Sequence, residues 1–304
     1  MTRTTHDPQS QPKTTSQRPA VWDRLGIVPG RVFRACGMRR SGNHAIANWL
    51  QRNAPLQSSV FLNNCKPGKN PLDSFSSIEI NATRGGANQA RTNLPKATGS
   101  AGDGALFLFS YEDASPLDFT GNRALSGDFD ENLITTDLLI YRGFLNWCAS
   151  LLKKLQRNPI YSLSRRISII LKAIDTYSRL LMLVADNAQN PDQVCICYDQ
   201  WASGETYRAD ILQSLQLPSH DNSLGPVQPY GGGSSFQKSA RSPDELQTNR
   251  RWQQMAQDPE FLAVLYLAAQ DTALTDALSH VFPQDCDRLA AFAAQNTLST
   301  GGMA

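Results

Sequence analysis

No apolar run in the chain approaches the length of a membrane-spanning helix, which requires about 18 residues. The polar N-terminus also lacks the apolar stretch of a secretory signal. Charge is scarce as well, because charged residues make up 18% of the chain and the formal net charge is +2. This balance gives no indication of a nucleic-acid partner or a membrane surface, so any basic site must be local. We therefore expect a cytoplasmic protein with no nucleic-acid binding and no membrane insertion.

Closely spaced cysteines are also lacking. The six cysteines are scattered, and the one close pair, Cys195 and Cys197, encloses a single isoleucine inside an apolar run. Zinc and redox sites usually separate their cysteines by two residues. Buried, reduced thiols are the favoured interpretation, and no metal site is expected.

The composition predicts one large domain between two tails. The 304 residues, 40% of them apolar, are enough to bury a substantial core. Residues 1–22 are rich in Thr, Gln, Ser and Pro, and residues 296–304 are small and polar, so both ends are predicted to be disordered. The segment 81–104 lacks a periodic apolar face and indicates a flexible surface loop, either an acceptor-side lid or an insertion without a role. The domain is expected over 23–295.

Hydrophobic patterning predicts an α/β fold. Short β-branched or aromatic runs predict strands at 32–36, 59–62, 105–109, 138–141 and 194–198. Stretches with helical periodicity follow several of them, at 42–52, 144–156, 164–188 and 201–215, with a last helical region at 244–278. The alternation predicts a mainly parallel central sheet with helices on both faces.

The first predicted strand runs through a glycine-containing loop into an apolar helix. A helix N-terminus presents free backbone N–H groups and partial positive charge, and Gly37 and Gly42 allow the backbone to approach an anion closely. Arg39, Arg40 and Ser41 add charged and hydroxyl donors. The segment predicts a P-loop-like phosphate cradle.

A nucleoside triphosphatase is the natural alternative, because the two glycines have the spacing of a Walker A loop. That motif continues with Lys and then Ser or Thr, which holds magnesium, whereas Asn43 and His44 follow here. Arg40-Ser41-Gly42-Asn43-His44 instead resembles the 5′-phosphosulfate loop of the sulfotransferase family that uses 3′-phosphoadenosine 5′-phosphosulfate (PAPS). The resemblance implies that this loop, Arg39 included, binds the donor without a metal. Arg40 stands where many members have Lys.

A second strand-to-helix junction occurs later in the chain. Arg142 stands at the end of a predicted strand, and Ser150 follows eight residues on, about two helical turns away. In the sulfotransferase family an Arg and a Ser with this spacing hold the 3′-phosphate of the donor, so the resemblance implies that role for this pair. Members usually continue with Asp-Pro, where this chain has Gly143-Phe144.

Two further stretches resemble the family less specifically. The late predicted strand ends in Tyr198, which the resemblance places beside the adenine. A glycine-rich stretch with Ser234, Ser235 and Phe236 resembles a loop of bacterial sulfotransferase-like proteins, in which an aromatic ring stacks on adenine and backbone amides reach the 3′-phosphate. For the arginine pair at 250–251, a solvated helix face is favoured over a phosphate contact.

Sulfuryl transfer requires in-line positioning, stabilisation of charge on the leaving phosphate, and a base. Arg40 is the candidate for charge stabilisation. The strand at 105–109 leads to Glu112 and Asp113, toward the sheet edge where ligands bind in open α/β folds. Glu112 is the candidate base and Asp113 the reserve, because alternation turns Asp113 to the opposite face. His44 is a third possibility, although its position in the loop favours donor binding.

Together these features predict a sulfotransferase that moves a sulfuryl group from PAPS to a hydroxyl or amine of a small molecule or glycan. The acceptor wall is expected from the segments 63–104 and 115–132, which match no pattern that identifies an acceptor. The sequence does not indicate an oligomeric state. A P-loop kinase or triphosphatase and a catalytically inactive nucleotide-binding relative are the alternatives.

Overall fold

The computed structural model describes residues 19–120, 123–190, 193–226, 236 and 248–295. The strands are β1 (Arg31–Gly37), β2 (Ser59–Asn63), β3 (Ser77–Ile80), β4 (Thr83–Gly85), β5 (Leu106–Glu112), β6 (Thr136–Tyr141) and β7 (Gln193–Cys197). The α-helices are α1 (Ala20–Leu25), α2 (Asn43–Arg52), α3 (Pro71–Ser74), α4 (Ala87–Thr92), α5 (Leu94–Thr98), α6 (Phe144–Gln156), α7 (Leu163–Ala185), α8 (Tyr198–Ser203), α9 (Glu205–Ser214), α10 (Pro259–Ala268), α11 (Thr272–Val281) and α12 (Pro283–Gln295).

The strands form one seven-stranded sheet in the order β4-β3-β2-β5-β1-β6-β7. Strands β2, β5, β1, β6 and β7 are parallel, whereas β3 pairs antiparallel with both β2 and β4. The predicted α/β class with a mainly parallel sheet is therefore confirmed, with an antiparallel edge added.

Side chains alternate between two hydrophobic clusters, one on each face of the sheet. On β1, Phe33 and Ala35 join the cluster that includes α2, while Val32 and Cys36 join the larger cluster that includes α6 and α7. Because a slip of one residue would exchange the two faces, this alternation fixes the register of the central strands.

The five predicted strands all form, but the segment 81–104 is not structureless. It contains the edge strand β4 and the short helices α4 and α5, the second of which begins with Asn93 accepting a hydrogen bond from the Lys96 N–H. Helices of five or six residues are too short to show a periodic apolar face, which explains why the composition suggested a loop. The expected flexibility of this segment stays a prediction.

Helix α6 has the predicted bounds, whereas other boundaries differ. The helix predicted at 201–215 begins earlier, at Tyr198, and is interrupted at Gly204, which separates α8 from α9. The expected start of the domain at residue 23 falls inside α1, where Trp22 is buried. The tail residues 1–18 and 296–304 lie outside the described residues.

Among the described helices, none alone combines the length and apolar character needed to cross a membrane. Helices α10 and α11 have the required length and apolar character only when taken together, and the chain bends by 90° between them. Their buried side chains pack in the larger hydrophobic cluster, and both helices contact α7.

Candidate functional site

The carboxyl ends of β1, β5, β6 and β7 lie along one edge of the sheet because these strands are parallel. The residues that follow these ends are the loop 38–42, Asp113, Arg142 and Tyr198. Ligands of open α/β sheets bind outside this edge. The topology therefore brings most of the candidate residues to one place.

The loop 38–42 makes a tight connection from β1 to α2. Arg40 and Gly42 both have positive φ angles, 73° and 88°, and the Ser41 N–H donates to the Met38 carbonyl at 3.1 Å. Gly42 caps the helix, so the first free N–H groups of α2 face this loop. The strand–loop–helix arrangement predicted around Ser41 is present.

Tyr198 covers this loop from the side of β7. A Cβ atom at Gly42 would lie 2.0 Å from the Tyr198 ring, and the Arg142 guanidinium carbon lies 4.9 Å from the centre of that ring. Tyr198 is 7% exposed and stacks on Trp201, with ring centres 5.7 Å apart. The ring therefore supports the loop from within the protein, and its predicted place beside an adenine stays a prediction.

Arg142 connects several segments of the site and is 1% exposed. Its donors reach one acceptor on each of four segments: Asp199 Oδ1 at 3.3 Å, the Arg40 carbonyl at 3.2 Å, Ser150 Oγ at 3.3 Å and the Thr248 carbonyl. Arg142 and Ser150 are thus in direct contact, and their role at a 3′-phosphate stays a prediction.

Arg251 joins the same pair. Its Nη1 donates to Ser150 Oγ at 2.9 Å, and only 5% of the residue is exposed. Asn146 on α6 fixes the backbone beside it by accepting the Arg251 N–H at 3.0 Å. The expectation of a solvated face is therefore wrong for Arg251, because α6 and the segment that follows Thr248 bury it. We call Arg40, Arg142 and Arg251 the arginine cluster.

The members of the arginine cluster repel one another. Burial, with the positive charges of Arg142 and Arg40, lowers the pKa of Arg251 to about 9. Burial and the charge of Arg142 also lower the pKa of Arg40. Asp199 offsets part of this charge, because its carboxylate accepts a hydrogen bond from Arg142. The same carboxylate accepts the Gly143 N–H at 2.7 Å. The cluster would be stabilised by an added anion.

Ser41 Oγ and Arg251 Nε are among the buried polar atoms without a hydrogen-bond partner in the described residues, and Ser41 is fully buried. Buried polar groups in native proteins are normally hydrogen-bonded, so such atoms call for an explanation. A phosphate or sulfate oxygen would suit Arg251 Nε as an acceptor, and the same anion could accept from Ser41.

Glu112 and Asp113 end β5 in two different environments. Burial raises the pKa of Glu112, and Asp113 adds to the rise, while a hydrogen bond from Asn43 and the charges of Arg39 and Arg40 oppose it. Asp113, with a positive φ of 54°, accepts the Arg39 N–H at 2.8 Å and pairs with the Arg39 side chain. Glu112 is thus the carboxylate left beside the loop, and Asp113 is engaged by Arg39.

The other predicted loop residues have distinct roles. The Asn43 side chain turns inward, toward Met38 and Glu112, rather than toward the outside of the loop. Burial lowers the pKa of His44, and Arg84 and Arg40 oppose its protonation further, although Glu79 favours it. The half-exposed Arg39 side chain is paired with Asp113.

The glycine-rich stretch is described at one position. Phe236 is partly buried, and the Arg251 guanidinium carbon lies 5.7 Å from the centre of its ring. Ser234 and Ser235 lie outside the described residues. The two segments expected to form the acceptor wall contact each other, since Gly68 donates to the Leu125 carbonyl at 2.8 Å and Asn70 to Asp128 at 3.0 Å.

No protein-family model, no curated protein and no solved structure matches the chain. The sulfotransferase resemblance therefore stays a prediction from the motifs. Within the described ranges, no group of three or more His, Cys, Asp or Glu side chains could hold a metal ion.

The packing of Tyr198 on Gly42 yields a prediction. Gly42→Ala should lower the free energy of unfolding by roughly 2–5 kcal/mol, because it combines a strained positive φ with overlap of the Tyr198 ring. Gly85→Ala is the control, because its Cβ would make only an ordinary 3.4 Å contact and the residue lies on the exposed strand β4. Urea unfolding of both variants measures the difference, and equal midpoints would contradict the packing described.

Proposed function

We propose that the chain is a sulfotransferase that uses PAPS and a hydroxyl or amine acceptor on a small molecule or glycan. The observation that carries the proposal is the arginine cluster at the carboxyl edge of the sheet, with Ser41 Oγ and Arg251 Nε unpartnered among the described residues. Burying like charges together costs free energy, and a multiply charged anion would recover it. The sequence resemblance identifies such an anion as a nucleotide with two phosphate groups.

The residues present fit such a donor at two places. Arg142, Ser150 and Arg251 would hold its 3′-phosphate, since both arginines already converge on the serine hydroxyl. The loop 38–42 and the free N–H groups of the ten-residue helix α2 would hold its 5′ end. The bound donor supplies the activated sulfuryl group.

Two side chains are suited to the chemical step. The positive charge of Arg40 favours negative charge on a leaving phosphate. The carboxylate of Glu112 accepts a proton from the acceptor, and its raised pKa brings it closer to the range in which a general base is effective. Asp113 is held by Arg39 and serves to fix the start of the loop.

The first prediction concerns nucleotide binding in the absence of a metal. 3′-Phosphoadenosine 5′-phosphate should bind roughly tenfold to a hundredfold more tightly than 5′-AMP, because a buried charge-assisted contact contributes about 1.5–3 kcal/mol. Arg251→Met should remove most of this preference while keeping the apolar part of the side chain. Isothermal titration calorimetry in the presence of EDTA measures all four affinities.

The exposed neighbour Arg250 supplies the matched control, since Arg250→Met changes the same charge outside the buried cluster. It should leave the preference unchanged. Equal affinity of the wild-type protein for the two nucleotides would contradict the assignment of the 3′-phosphate site.

A further prediction separates the two carboxylates. Glu112→Gln retains an oxygen that can accept from Asn43 but loses basicity, so transfer should fall by about 10²–10⁴ while nucleotide affinity is retained. Asp113→Asn should have the smaller effect. A screen of phenols, sugars and amines with labelled donor identifies an acceptor, and the rates of the variants are then compared. An active Glu112→Gln beside an inactive Asp113→Asn would assign the base to Asp113 instead.

A further inference from the structure

Asn43 is the first residue of α2, and 8% of it is exposed. Its two amide ends have different surroundings. The Nδ2 atom donates to the Met38 carbonyl at 3.2 Å and to Glu112 Oε1 at 3.3 Å. The Oδ1 atom has no hydrogen-bond partner among the described residues. The structure therefore uses this side chain as a donor.

The orientation of the amide is set by its neighbours. If the amide were turned over, Oδ1 would face two acceptors, the Met38 carbonyl and the Glu112 carboxylate, and both contacts would become repulsive. Asn43 also lines a small cavity between α2 and the sheet, bounded in part by Ala35, Ala47 and Ile140.

Close packing keeps Asn43 in this position. A Cβ atom at Gly37 would lie 2.7 Å from Asn43 Oδ1 and 2.8 Å from the Ile140 carbonyl, so a larger residue at position 37 would displace the amide. Gly37 is paired directly with Glu112 in the register of β1 and β5. The amide thus bridges the end of β5 and the start of the loop.

The charged groups that act on Glu112 come from two elements. Asp113, next to it at the end of β5, disfavours a second negative charge, whereas Arg39 and Arg40 from the loop favour it. Helix α2 contributes the uncharged Asn43, whose hydrogen bond also favours the ionised form of Glu112. Arg39 is paired with Asp113, whereas the Asn43 amide donates a side-chain hydrogen bond to Glu112 itself.

We propose that Asn43 is a positioning residue, which fixes the Glu112 carboxylate beside the loop and holds it in the ionised, proton-accepting form. The catalytic meaning of this contact rests on the proposed function, but the hydrogen bond and its effect on Glu112 do not. The predicted role of Asn43 in binding PAPS stays a prediction, since the contact with Glu112 occupies only its side-chain amide.

The test is a titration of Glu112 that needs no substrate. The protein is labelled with ¹³C at the glutamate side-chain carboxyl carbon, and Glu112→Gln identifies the resonance. Asn43→Ala should move the Glu112 midpoint upward by about one pH unit, because loss of a donor to the charged form favours the protonated form. Asn43→Asp, which is nearly the same size, should raise it at least as much, and it keeps the test valid if the alanine variant does not fold.

Asn48 is the matched control, a buried asparagine on the same helix whose Oδ1 accepts from Arg52. Asn48→Ala should leave the Glu112 midpoint unchanged. Unchanged midpoints in both Asn43 variants, or the same shift in Asn48→Ala, would overturn the inference.

The pH dependence of the rate separates this inference from the proposed function. If the chain transfers sulfuryl groups, the acidic limb of the rate profile should move to higher pH in Asn43→Ala, in parallel with the titration. A shifted titration in a chain without transfer activity would overturn the proposed function alone. An unshifted titration in an active enzyme would overturn the role of Asn43 alone.

Discussion

The arrangement of the site depends on the hydrogen bonds of the buried Arg142 guanidinium. Arg142 follows β6, and its guanidinium donates to one acceptor each on the loop 38–42, α6, α8 and the segment at Thr248. The backbone carbonyl of Arg142 accepts a hydrogen bond from the Tyr177 hydroxyl at 2.6 Å, which connects the end of β6 to the long helix α7. Because a buried charge must keep its partners, the four segments are held in one arrangement.

That arrangement concentrates more positive than negative charge. Arg40 and Arg251 join Arg142, while Asp199 accepts a hydrogen bond from Arg142. A protein selected for stability alone would gain by replacing some of these charges with apolar residues. The proposed anionic donor would offset this positive charge, and Glu112, whose pKa is raised by burial, lies at the same edge as a group suited to accept a proton.

Much of the fold and part of the site could be predicted from the sequence, because those features follow from local patterns. The five parallel strands are apolar runs, and the eight-residue spacing of Arg142 and Ser150 corresponds to two turns of one helix. The burial of Arg251 could not be predicted in this way, since it depends on packing against α6 from a distant part of the chain. The inward turn of Asn43 likewise depends on Glu112, which is distant in sequence and lies on another strand. The arginine pair followed by tryptophan at 250–252 is visible in the sequence. Only the contact of Arg251 with Ser150 shows that this arginine is buried at the site.

The most direct test of the central claim is a comparison of thermal stabilisation by two nucleotides. If the arginine cluster is a metal-independent site for a nucleotide with a separate 3′-phosphate, 3′-phosphoadenosine 5′-phosphate in EDTA should raise the melting temperature more than ADP with magnesium at the same concentration. A larger stabilisation by ADP with magnesium would contradict the account, and it would favour a P-loop nucleotide-hydrolysing or kinase function instead.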